Sequence, residues 1–160
     1  MDIKQINYLI DCLKMLLHRN PDLVIPVVGN KMKLELKSDK HLFLIDVNRA
    51  GHKKPKCTYQ LREQQQKDFP LMRLDLLGPT HKNPPGDFEL ADQDIPCPHI
   101  HIADPEYGTS IAYPLNHKYA NMYLTDEETK DLALVLQKFL KRCNVGNFLD
   151  YNISYQPDLI

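Results

Sequence analysis

Polar and apolar positions change period along this chain. After Asp2, the residues Ile6, Leu9, Ile10, Leu13, Leu16 and Leu17 recur at helical spacing until Asn20 and Pro21 stop them, and Asp2 with Gln5 makes a capping box at the start. The period then drops to two. Leu23 to Val28 reads as a short strand, Met32, Leu34 and Leu36 alternate strictly with charged residues, and His41 to Val47 follows across the polar link Ser38-Asp39-Lys40, which predicts a hairpin. Cys57, Tyr59 and Leu61 alternate in another strand, and further strands are expected over Leu71 to Leu77, Pro98 to Ala103 and Ser110 to Tyr113. The helical period returns after Thr125 and Glu128, a second capping box. It carries the stripe Leu132, Val135, Leu136, Phe139, Leu140 and Cys143 and closes near Asn144 and Gly146.

Strands enclosed by two terminal amphipathic helices predict an α+β fold: a mainly antiparallel sheet with the N-terminal and C-terminal helices packed on its apolar face. A length of 160 residues fits a single domain over 1–160 with its own core. Two stretches depart from the pattern. Residues 79–95, rich in proline and glycine at their start, are expected to form a mobile loop that is not regular structure, and residues 147–160 an irregular tail.

The formal net charge of -1 gives no global pull toward nucleic acid or membrane, so any contact with RNA has to come from a local patch. No segment approaches the roughly 20 apolar residues of a spanning helix, and the N-terminus lacks a signal peptide's apolar core. A cytoplasmic location away from membranes follows as the expectation. The four cysteines, Cys12, Cys57, Cys97 and Cys143, form no CxxC pair and read as buried free thiols.

Chemistry concentrates where two strands alternate apolar with ionisable residues. In Leu71-Met72-Arg73-Leu74-Asp75-Leu76, Arg73 and Asp75 share the face opposite Met72, Leu74 and Leu76; in Pro98-His99-Ile100-His101-Ile102, His99 and His101 leave on one side while Ile100 and Ile102 point to the core. His81 sits in the intervening loop, and Asp46 and Asn48 alternate with Ile45 and Val47 so as to face the same way. The sheet therefore has an apolar back and a polar front. Unpaired, these groups would cost several kcal/mol each in a core, which favours a cleft.

Two chemistries fit. Histidines titrate near neutrality, so His99 and His101 suit the base and acid of RNA phosphodiester cleavage, with Arg73 forking onto the phosphate, Asp75 orienting its neighbours and His81 completing the group. Alternatively the imidazoles hold a metal. Cys97, His99 and His101 share a strand face, but an extended i to i+4 span of about 13 Å is too long for one ion, which leaves His99 and His101, with His81, as Zn²⁺ ligands. Arg49, Asn83 and Tyr59 are candidate substrate contacts; Arg49 belongs to a basic run with His52, Lys53, Lys54 and Lys56 that reads either as a phosphate track or as a solvated loop.

The strings Asp46-Val47-Asn48-Arg49, Lys56-Cys57-Thr58-Tyr59-Gln60-Leu61-Arg62, Leu74-Asp75, His81-Lys82-Asn83-Pro84-Pro85-Gly86, Ile95 through His101 and Ala112-Tyr113-Pro114-Leu115 resemble an uncharacterised family of small bacterial and prophage proteins, over residues 42–145. That family's loop reads His-x-Asn-Pro-Asp-Gly, and Pro85 stands here in place of the aspartate. More distantly, Arg73-x-Asp75, His81 and Pro98-His99-x-His101 are similar to toxins of the TumE type, encoded beside helix-turn-helix antitoxins. The resemblance implies a toxin that attacks RNA and has such an antitoxin as its partner. The rival expectation is a phage-encoded inhibitor or binding protein of a host defence system, with a histidine-held structural metal.

Overall fold

The period-two segments pair largely in the order in which they occur. In the computed structural model, which describes residues 1–49 and 57–156, helix α1 (Ile3–Asp11) precedes strands β1 (Met15–Leu16), β2 (Asp22–Ile25), β3 (Lys31–Lys37), β4 (Leu42–Asn48), β5 (Cys57–Glu63), β6 (Met72–Leu77), β7 (His81–Lys82), β8 (Asp94–Ile95), β9 (His99–Ile102) and β10 (Ala112–Pro114). Helix α2 (Leu132–Arg142) and strand β11 (Asn152–Tyr155) follow. The main sheet has seven strands in the order β1-β3-β4-β5-β6-β9-β10, every pair antiparallel. The expected α+β architecture and the hairpin between β3 and β4 are present.

Alternation settles which face each residue takes. Leu34, Leu36, Phe43, Ile45, Val47, Tyr59, Leu61, Met72, Leu74 and Ile100 are buried in one cluster with Ile6, Leu9 and Ile10 of α1 and Leu132, Val135, Leu136, Phe139 and Leu140 of α2. Both helices thus cover the back of the sheet. At roughly 1.5–3 kcal/mol per large apolar side chain, this cluster outweighs every polar contact in the molecule. All four cysteines are free thiols, but only Cys57 and Cys143 are buried; Cys12 and Cys97 are partly exposed.

Where the structure departs from the sequence pattern, a polar group decides. Helix α1 ends at Asp11 although Leu13, Leu16 and Leu17 continue its spacing, because Lys14 turns inward and donates from Nζ to the carbonyls of Ile10, Cys12 and Cys143 at 2.7, 3.0 and 2.9 Å. The chain leaves that junction as β1, with Leu16 buried and Leu13 and Leu17 exposed. The expected strand over Leu23 to Val28 stops at Ile25, since Pro26 has no N–H to pair. At the other end the Thr125–Glu128 box forms as expected but closes a single 3₁₀ turn, Glu128–Lys130; Asp131 is the N-cap of α2, accepting from the amides of Ala133 and Leu134. Asn144 then takes a left-handed φ of 57°, and the amides of Asn144 and Val145 close back on the carbonyls of Lys141 and Leu140.

Two stretches carry more structure than their sequence suggests. The tail contributes β11, which pairs in parallel with β2 and helps bury Leu23, Ile25 and Ile153. The proline-rich loop contains the short antiparallel pair β7–β8. Lys14→Met would retain the apolar stem while leaving three carbonyls without their donor; a loss on the order of 3 kcal/mol in urea unfolding is expected, with the secondary structure content unchanged by circular dichroism.

Candidate functional site

Register lays the front face out in rungs. Antiparallel pairing aligns Lys33, Asp46, Gln60, Arg73 and His101 across β3, β4, β5, β6 and β9, and Lys31, Asn48, Thr58, Asp75 and His99 in the next rung. These residues floor a cleft of about 800 Å³ that Gly78 to His81 and Cys97 border on one side. Four cationic side chains, Lys31, Lys33, Arg62 and Arg73, stand there against two carboxylates, Asp46 and Asp75. The excess favours an anionic occupant.

Asp75 is the hub. Arg73 forks onto it, Nε to Oδ1 at 2.9 Å and Nη2 to Oδ2 at 3.1 Å, while Nε2 of His99 and of His101 approach Oδ2 at 3.1 and 3.4 Å. Both imidazoles are only 1% exposed. Their second nitrogens face main-chain carbonyls: His101 Nδ1 donates to Thr109 at 2.7 Å, and His99 Nδ1 lies 3.2 and 3.3 Å from the carbonyls of Ile95 and Pro96. His99 therefore has acceptors at both ends and is held as an imidazolium. In His101 the Nδ1 proton is committed to Thr109, and buried Nε2, 3.4 Å from Asp75 Oδ2, faces that carboxylate without a well-formed hydrogen bond.

The electrostatics follow these contacts. Burial alone would lower His99, but the Asp75 carboxylate and the Cys97 thiol raise it to about 9. Burial dominates at His101 and, with the Arg73 charge, pushes it below its ordinary value against the Asp75 carboxylate, which raises it. For Asp75, burial is outweighed by His101, His99 and Arg73, which hold the carboxyl well below the usual carboxylate range.

The loop brings His81 over the pair. Asn83, 1% exposed, donates to the carbonyls of Leu90 and Ala112 and accepts from the Ala112 amide, tying the loop to β10. Two residues away, His81 bonds through Nε2 to the carbonyl of Ser110 at 2.7 Å, and its ring centre lies 4.7 Å from that of His101. Arg73, Asp75, His81, His99 and His101 are thus brought together.

The three expected substrate contacts are placed elsewhere. Asn83 is spent on the backbone bonds that pin the loop. Tyr59 is fully buried on the back face beside Phe139, with its hydroxyl donating to the Leu132 carbonyl, because β5 turns Tyr59 inward with Leu61. Arg49 follows the inward parity of Val47 and is buried, with Nη1 donating to the Pro26 carbonyl. His52, Lys53, Lys54 and Lys56 of its basic run lie outside the described residues. Conversely, Lys31, Lys33, Thr58, Gln60 and Arg62 line the cleft without having stood out in the sequence. The signal was available: they occupy the polar phase of strands whose apolar phase was evident.

The molecule is an α+β protein with a helix-backed antiparallel sheet and a polar, histidine-bearing cleft on its open face. It belongs to a family of unknown function (DUF6978), whose model matches residues 1–145 and so takes in both helices and the whole cleft floor. No curated protein and no solved structure matches the chain. Among the described residues no helix is long and apolar enough to cross a membrane.

Two measurements check this description. His99 is raised from 6.5 to about 9, so its stabilising effect is complete below pH 6.5 and is lost as pH rises through about 9; Asp75 is depressed, so its effect is present above 3.8 and lost as pH falls. In metal-free protein, Asp75→Asn should therefore lower the melting temperature most between about pH 4 and 6.5, and the gap should narrow above pH 9. Tyr59→Phe should cost about 1 kcal/mol in urea unfolding and leave ligand binding at the front face unchanged.

Proposed function

We propose that the protein is an endoribonuclease, the toxin of a toxin–antitoxin or phage-conflict module, acting in the bacterial cytoplasm on RNA and neutralised by a helix-turn-helix antitoxin. One observation carries the chemistry: two imidazoles flank a single carboxylate in opposite hydrogen-bonding states on the floor of a cationic cleft. His101, with its Nε2 lone pair left over, is the base that takes the proton of an RNA 2′-hydroxyl. His99, with protons on both nitrogens, is the acid that returns one to the departing 5′-oxygen. The 2′-oxygen bonds to phosphorus as the bond to the 5′-oxygen breaks, which leaves a 2′,3′-cyclic phosphate. Arg73, partly exposed and held by Asp75, supplies positive charge to the phosphorane. Asp75 is a positioning residue for all three.

The anion-favouring floor supports an extended phosphodiester over a neutral ligand. The order of Arg73, Asp75, His81, His99 and His101 along the chain, similar to that of TumE-type toxins, supports the module assignment. Purified protein in chelator should cleave RNA to 2′,3′-cyclic ends with a bell-shaped pH profile and leave DNA, which lacks the 2′-hydroxyl, intact. Replacing either His99 or His101 by alanine should cost on the order of 10²-fold or more in rate, and expression of the wild-type chain, but not of the double variant, should arrest bacterial growth. Comparable cleavage of DNA, or full activity in the double variant, would overturn the reading.

A further inference from the structure

We propose that Asp75 Oδ2, His99 Nε2 and His101 Nε2 form a binding site for one divalent transition-metal ion of the zinc type. This inference rests on the geometry of the cluster and not on the cleavage reaction. The three donor atoms come from neighbouring strands and lie within 4.8 Å of one another. Through Asp75 the separations are 3.1 and 3.4 Å, close to the edge of a tetrahedron whose corners lie about 2.0–2.1 Å from a central zinc ion.

The surroundings match what ligand histidines require. Each ring has Nδ1 against a main-chain carbonyl, Thr109 for His101 and Ile95 or Pro96 for His99, which fixes the ring plane and turns the Nε2 lone pair toward the shared centre. Arg73 grips the same carboxylate from outside, the supporting bond that a metal-bound carboxylate needs. The independent sign of a missing occupant is His101 Nε2 itself: buried, aimed at the cluster and without a hydrogen bond. An ion there gives that lone pair its partner and replaces the proton on His99 Nε2. His81, the third ligand expected from sequence, has Nε2 engaged by Ser110. Asp75 takes its place. With three protein ligands and a cleft in front, the ion keeps an open position, and because it occupies both Nε2 atoms it excludes their use in proton transfer.

Chelator-treated full-length protein titrated calorimetrically with Zn²⁺ should bind about one equivalent per chain. In the imidazole ¹⁵N spectrum, the Nε2 signals of two histidines should move on binding while their Nδ1 protons persist. His101→Ala and Asp75→Asn should each weaken binding by at least 100-fold, and His81→Ala by less than threefold. Circular dichroism of each metal-free variant shows whether it is folded, and the wild-type titration and spectrum decide the matter even if one is not. Absence of saturable binding by the wild type, or binding retained in folded His101→Ala and Asp75→Asn, overturns the site. RNA cleavage in chelator and in Zn²⁺ is read separately: one equivalent bound with cleavage suppressed supports the ion at these nitrogens, and one equivalent bound with no cleavage in either condition keeps the metal site while removing the ribonuclease reading.

Discussion

The register between Met72–Leu77 and His99–Ile102 is the constraint on which the rest depends. It sets Arg73 opposite His101 and Asp75 opposite His99, while Leu74 meets Ile100 on the other face. A slip of one residue would turn every ionisable group of β9 toward the helices and both isoleucines toward the cleft. The apolar back of the sheet forbids that, since Ile100 and Leu74 are fully buried against the same cluster as α2. Hydrophobic burial on one face thereby sets the geometry of the ionisable groups on the other.

Charge at this depth persists only because it is shared. Two imidazoles at 1% exposure and a half-buried carboxylate would each pay heavily for desolvation if isolated. The cluster meets that cost with the Arg73 fork and with main-chain carbonyls of the segments on either side of β9, Ile95 and Pro96 before it and Thr109 after it. One nitrogen of the cluster stays without a hydrogen bond, His101 Nε2. A buried nitrogen without a hydrogen bond is the exception in an otherwise connected network. The loop is part of the same device, for Asn83 anchors it to Ala112 and so holds His81 over the two rings.

Far from the cleft, Lys14 does comparable work for the helices. It is fully buried, and its ammonium gathers carbonyls from the ends of α1 and α2 while lying 4.8 Å from the Phe43 ring centre. Burial lowers its pKa, against the smaller opposing influence of Cys143, Cys12 and Asp11. The junction ties the first helix to the last across the back of the sheet, and it explains why a hydrophobic pattern fit for a longer helix is cut short and continued as β1.

Helical spacing in the sequence determined the buried stripe of α2 and the first turns of α1. Alternation by itself likewise determined the strands β3, β4, β5, β6 and β9 and their two faces, because side-chain direction in a strand is a local property with a period of two. For the same reason it was enough to put Arg73, Asp75, His99 and His101 on the front. It also held the answer for Tyr59, whose apolar neighbours Cys57 and Leu61 share its phase, although ring chemistry suggested a different role. Only the tertiary structure decided partners. The contact of Lys14 with the Cys143 carbonyl, the pairing of β11 with β2, the use of Asn83 as a loop anchor and the meeting of Asp75 with His99 and His101 all join residues distant in the chain. Such contacts depend on how the sheet is registered and what covers it, and no local period encodes them.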